Sequence, residues 1–86
     1  MFITYILYSK SIDKYYIGYT NNLELRIKRH NNGWSKYSSK GIPWELVYSE
    51  TFSSKSDAIK RENKIKKMKS RMYIENLIKG SGGRPD

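Results

Sequence analysis

Three short runs along the chain alternate or cluster apolar residues in the manner of strands, and three longer ones repeat them at helical spacing. Phe2 to Tyr8 (FITYILY) is dense in β-branched and aromatic residues and has the length of a strand. Tyr15 to Thr20 has the same character. The polar SKSIDK between them suits a hairpin loop, with no Asn-Gly or Asp-Gly dipeptide to set its turn type. Pro43 opens a third strand, WELVYSETF, whose alternation places Trp44, Leu46 and Tyr48 on one side and Val47 on the other.

The helical runs carry their own punctuation. LELRIKRH follows Asn21 and Asn22, either of which can accept from the free N–H groups of a first turn. Glu24 and Lys28 stand four apart, and Gly33 supplies a stop. A second helix starts after Ser54 or Ser56 and shows a stripe of Ala58, Ile65 and Met68. Ser70 caps a last helix, RMYIENLIK, which Gly80 is expected to end, leaving 80–86 as a tail. Asn31 to Gly41 reads as an exposed polar loop, with Trp34 and Tyr37 either stacking on unpaired bases or anchoring the loop. The order strand, strand, helix, strand, helix, helix predicts one α+β domain over 1–79, a three-stranded antiparallel-type sheet flanked by about three helices.

Three polar residues interrupt the buried stripes. With Leu23 and Ile27 facing the core, Arg26 and His30 fall on or beside the same stripe, and Glu62 lies between Ala58 and Ile65. A buried unpaired charge is too costly to persist, so these groups pair with one another or line a wet cleft. The plain structural reading is an internal Arg26–Glu62 salt bridge. On the strands, alternation gives Tyr5 the face of Ile3 and Leu7, while Tyr16, Gly18 and Thr20 share a face. Gly18 allows a close approach to the backbone, by a phosphate or by a packed helix.

Composition narrows what such a cleft can do. Among 86 residues, 17 Lys and Arg stand against 8 Asp and Glu, a net charge of +9 that favours a polyanionic partner. The basic segments lack the strong apolar face of an interfacial helix, and no run approaches the ~20 apolar residues of a membrane span. There is no signal-like start, so a cytoplasmic location is expected. With no cysteine and one histidine, disulfides and thiolate or polyhistidine metal sites are excluded, and any metal must sit on carboxylates.

Tyr5, the Tyr16-Ile17-Gly18 triplet, Arg26 eight residues after that glycine, His30 four after the arginine, and Glu62 on a later helix together resemble the GIY-YIG nuclease domain. The resemblance spans residues 2 to about 79, as a small stand-alone member. It departs at Ile3-Thr4-Tyr5, which keeps only the tyrosine of Gly-Ile-Tyr, and at Tyr19, where several members have lysine. Asn76 falls in roughly the region of a further family asparagine. What the resemblance implies is a Mg²⁺-dependent (or Mn²⁺-dependent) endonuclease hydrolysing phosphodiesters in DNA, structure-selective or nonspecific, with a role in DNA repair or processing.

Phosphodiester hydrolysis gives each residue of that set a task. Glu62 would hold the metal, which keeps waters and also uses substrate oxygens. Arg26 would grip the scissile phosphate with its planar fork, and His30 would donate to a phosphate oxygen or exchange a proton with Tyr5. Tyr5 is favoured as the base and Tyr16 as the group that positions water or phosphate. A tyrosine at its reference pKa of ~10 needs help from a cation or the metal. From Lys60 to Arg71, KRENKIKKMKSR sets seven cations around one acid. Lys60, Arg61, Lys64 and Lys67 are read as phosphate contacts, with Gly18 as a backbone contact. The expected entity is a monomer that binds nucleic acid, DNA foremost. The alternatives are a weakly catalytic nucleic-acid-binding module of the same fold and a basic protein-interaction adaptor.

Overall fold

β1 (Phe2–Ser9) is the central strand because it is apolar on both faces: Thr4, Tyr5, Ile6 and Leu7 are all fully buried. The computed structural model describes residues 1–33 and 36–82. β2 (Lys14–Thr20) pairs with one edge of β1 and β3 (Trp44–Phe52) with the other, both antiparallel, in the order β2-β1-β3. Between the strands come α1 (Leu23–Asn31) and one turn of helix, α2 (Lys36–Ser39), and after β3 come α3 (Lys55–Met68) and α4 (Arg71–Gly82). The α+β architecture is as expected. The loop predicted for 31–41 contains the short α2, whereas Trp34 and the side chain of Tyr37 lie outside the described residues.

The caps are local and follow the residue types. Asn22 accepts from the Leu25 N–H at 3.1 Å, Ser54 from the Asp57 N–H at 3.2 Å and Ser70 from the Tyr73 N–H at 3.1 Å. Gly33, at φ +71°, turns the chain out of α1 in the left-handed region. Gly80 does not end α4. A glycine inside a helix costs only about 1 kcal/mol, and without a left-handed turn there the helix continues to Gly82.

Pairing in β3 shifts between Ile6↔Tyr48 and Leu7↔Leu46, so Val47 is an extra residue opposite β1. The predicted alternation is therefore wrong beyond Leu46. Trp44 shares a face with Tyr5 and Leu7, but Tyr48 passes to the opposite face and Leu46 stays 42% exposed. On the first face Leu23 and Ile27 of α1 pack against the Tyr5, Leu7 and Trp44 cluster. On the second, α3 lies close because Ala58 is small and fully buried, and the Thr4 hydroxyl donates to its carbonyl at 2.8 Å. Ile65 completes that stripe. Met68, expected there, is 48% exposed at the end of α3.

Candidate active site

Antiparallel pairing sets Tyr5 directly across from Gly18, and the reason for the glycine is then visible. A Cβ at position 18 would lie 2.7 Å from the Tyr5 hydroxyl and 3.2 Å from the Tyr16 ring. The space where a Cβ would stand at Gly18 belongs to Tyr5, so the close approach that the glycine allows is made by a side chain of β1. Tyr16, two residues earlier on the same face, stacks beside Tyr5 with ring centroids 6.3 Å apart.

α1 delivers the next two groups. His30 is 1% exposed, its ring edge-on to Tyr16 at 4.5 Å and its Nε2 3.5 Å from the Tyr5 hydroxyl. That last separation is at the outer limit of a hydrogen bond and must tighten for a proton to pass. Burial, seconded by the Arg26 charge, lowers the His30 pKa, so the imidazole is neutral at pH 7. Arg26, one turn earlier, is half-buried and acts on the Tyr5 hydroxyl by charge and by hydrogen bonding.

Asn31 holds this end of α1 in place. Its Oδ1 accepts from the Trp44 N–H at 2.6 Å and its Nδ2 donates to the Trp44 carbonyl at 3.1 Å, so it pairs with the start of β3 as a strand residue does. The Trp44 ring then stands 6.2 Å from both His30 and Tyr16 and forms a wall of the cluster. Neither role has a signature in the sequence, since Asn31 reads there as the first residue of a polar loop.

Glu62 approaches from α3. Its side chain is 13% exposed and takes an ion pair from Lys66, one turn on, at 2.7 Å. The carboxylate thus has a partner on its own helix. The Glu62 carboxylate is nonetheless close enough to raise the Tyr5 pKa. That pKa is pushed up to about 12, with burial as the largest cause and the Arg26 charge the main opposing one. Burial thus holds Tyr5 more firmly in its protonated form than a free tyrosine, while Arg26 opposes that shift by charge and by hydrogen bond, in the sense of the expected assistance.

The donor set can be tested against a metal. Among the described residues no group of three His, Asp or Glu side chains could hold one. A lone, mostly buried carboxylate beside tyrosine hydroxyls fits a hard divalent ion that keeps its waters and uses substrate oxygens, and does not fit zinc or a caged calcium.

The basic run divides three ways. Arg61 turns inward: its Nε donates to Glu50 at 3.1 Å and its Nη1 to the Tyr73 hydroxyl at 3.4 Å, while Tyr48 also donates to Glu50. It is committed to the fold, which corrects its reading as a phosphate contact. Arg71 bridges Asp13 at 2.5 Å and Glu75 at 3.0 Å, tying α4 to the hairpin loop. Lys60, Lys64 and Lys67 are exposed, but Lys60 and Lys64 line a recess with Glu50, Asp57 and Arg61. At about 100° per residue these two sit roughly 160° around α3 from Glu62. The lysines on the Glu62 flank are Lys66 and, two turns earlier, Lys55. Asn76 is exposed on α4.

Residues 1–76 match the model of the GIY-YIG catalytic domain. Two similar proteins are UPF0213 protein YazA of Bacillus subtilis and UPF0213 protein CPE1444 of Clostridium perfringens. The first is 42% identical over 67 residues (73% of this chain, 68% of that protein) and the second 51% over 65 residues (74% and 69%). The fold is similar to the solution NMR structure of the UPF0213 protein BH0048 from Bacillus halodurans. The TM-score is 0.62 at 36% identity, covering 96% of this chain and 88% of that one.

Proposed function

Because this chain belongs to the GIY-YIG family, we propose that it is a divalent-metal-dependent endonuclease that hydrolyses phosphodiester bonds in DNA, in a repair or processing role. The observation that carries the proposal is the convergence of Tyr5, Tyr16, Arg26 and His30 on one spot, with the Glu62 charge acting on Tyr5. Arg26 binds the scissile phosphate and stabilises the charge that grows on it. A planar, permanently charged guanidinium held at the edge of an aromatic cluster is suited to that task.

Tyr5 and His30 handle the proton. The neutral imidazole accepts from the Tyr5 hydroxyl once that contact shortens, and Tyr5 takes the proton of the attacking water, which Tyr16 orients. Glu62 is the residue that would hold Mg²⁺ or Mn²⁺, in place of its pair with Lys66. When bound there, such an ion would supply charge neutralisation at the phosphate and would offset the carboxylate that raises the Tyr5 pKa. Exposed Lys66 adds phosphate attraction along the same flank of α3.

The raised Tyr5 pKa favours a second reading, a nucleic-acid-binding module of low turnover. Incubation with nicked, flapped, branched and single-stranded DNA, with RNA controls, separates the two. Cleavage that requires Mg²⁺ or Mn²⁺ and disappears in Glu62→Gln supports the nuclease. Salt-sensitive binding without cleavage of any substrate supports the module.

A further inference from the structure

Beside Arg26 the surface drops into a recess of about 340 Å³ lined by Phe2, Tyr19, Thr20, Asn21, Arg26 and Lys55. It spans the gap between α1 and the start of α3. Lys55 lies seven residues before Glu62, hence on the same face of the helix and about 10 Å further along it. The recess therefore adjoins the proposed catalytic cluster and extends from it in one direction.

Its chemistry is specific. Two cations line it, and none of its described lining residues is Asp or Glu, so a metal has no donors there and an anion has two. The Thr20 hydroxyl is already committed to the backbone of Asn22, accepting at 3.1 Å and donating at 3.3 Å. A ligand in the recess would meet Lys55, Arg26, the Asn21 amide and the rings of Phe2 and Tyr19. An anionic group joined to a flat apolar one is what that combination accepts. The volume is at the small end of the roughly 300 to 1,000 Å³ of ligand pockets, enough for a single nucleotide and too little for a base pair.

We propose that this recess is a subsite for one unpaired nucleotide adjacent to the scissile phosphate, with Lys55 holding its phosphate and Tyr19 receiving its base. The inference rests on the reading that Arg26 meets the scissile phosphate. It also specifies the substrate class. A nucleotide in intact duplex is stacked and paired and does not enter, so nucleic acid with a single-stranded segment beside the cut is preferred over continuous duplex.

The test uses a labelled single-stranded oligodeoxynucleotide and the same sequence as intact duplex, with binding read by fluorescence anisotropy without divalent metal. Wild type is compared with Lys55→Gln, Tyr19→Ala, Tyr19→Phe and, from the other flank of α3, Lys60→Gln. Tyr19→Ala is expected to weaken single-strand binding by about 5- to 150-fold while Tyr19→Phe retains it, since stacking needs the ring and not the hydroxyl. Lys55→Gln should reduce the salt slope on the single strand by about 0.7 and leave duplex binding near wild type. Wild-type-like single-strand binding by both Tyr19→Ala and Lys55→Gln overturns the subsite, as do equal losses on duplex. Cleavage by wild type with neutral variants overturns the subsite alone. Variant-sensitive binding without any cleavage overturns the nuclease and leaves the subsite standing.

Discussion

Arg26 and Arg61 both project from helices onto the sheet, from opposite sides, and the company each keeps is different. Arg61 meets Glu50 and Tyr73, and Glu50 also accepts from Tyr48, so the charge is closed within the fold. Arg26 acts on a tyrosine hydroxyl that burial keeps protonated, and it lines a recess with Lys55. The carboxylate nearest in role, Glu62, has gone to an exposed lysine on its own helix. One face therefore uses its charge to hold helices to the sheet, and the other turns it on a tyrosine hydroxyl at the rim of a recess.

The largest effect that can break this contrast belongs to Glu62. Glu62→Gln retains size and helix propensity but removes the charge a divalent ion requires. Hydrolysis should fall by at least about 10²-fold with DNA binding retained. If Glu62 serves only its i,i+4 pair with Lys66, cleavage is untouched by the substitution and only the melt can move. Cleavage and binding assays on one preparation decide.

Exchanging the two arginines sharpens it next. Arg26→Ala should cost on the order of 10²-fold in rate and little in stability, because its work is on the substrate. Arg61→Ala should do the reverse: about 1 to 3 kcal/mol lost as Glu50 and Tyr73 lose their donor, with cleavage kept by the folded fraction. For a domain of this size that is a drop of about 4 to 8 °C in Tm per kcal/mol. A large stability loss in Arg26→Ala, with unchanged turnover per folded molecule, would make the two sides equivalent and remove the basis for the site.

Gly18→Ala probes the same face through shape. The new Cβ must displace the Tyr5 hydroxyl, at 2.7 Å, and crowd the Tyr16 ring. Overpacking of this kind costs about 1 to 3 kcal/mol, and here it also moves the proposed base. Loss of activity beyond the loss of folded protein is the expected result, and Tyr5→Phe combined with Gly18→Ala should recover part of the stability, as the phenyl ring lacks the clashing oxygen.

Strands, caps and the inward drift of Arg26 and His30 were legible because their causes lie within a few residues: alternation, an Asn or Ser before a helix, a glycine after one. The bulge at Val47 was not, since an extra residue in a strand is defined only against its partner. Positions 61 and 62 flank the Ala58–Ile65 stripe on either side, so the sequence marks both as near the sheet. Only the distant Glu50 makes Arg61 structural. Asn31, Lys55 and Lys66 were missed for the same reason, their roles depending on Trp44, Arg26 and the turn of α3. The raised pKa of Tyr5 likewise follows from how much of the core closes over it.

The smallest effect is in the pH dependence of stability, and its sign follows from His30. Burial lowers the His30 pKa below its usual 6.5, so near pH 8 the imidazole is neutral in both the folded and the unfolded chain and contributes almost no pH slope. As pH falls through about 6.5 the unfolded chain takes up a proton that the folded one resists. The unfolded state then binds more protons, and stability declines until the folded pKa is passed. Thermal melts from pH 8 to pH 5 should show a Tm falling below about pH 6.5, with a shallower fall in His30→Gln. On the Arg61 face, Glu50→Gln removes the acceptor of Arg61 and Tyr48 and should lower Tm without touching the imidazole. If His30→Gln leaves the slope unchanged, the imidazole is not held neutral by its surroundings, and the proton-accepting role given to it opposite Tyr5 loses its support.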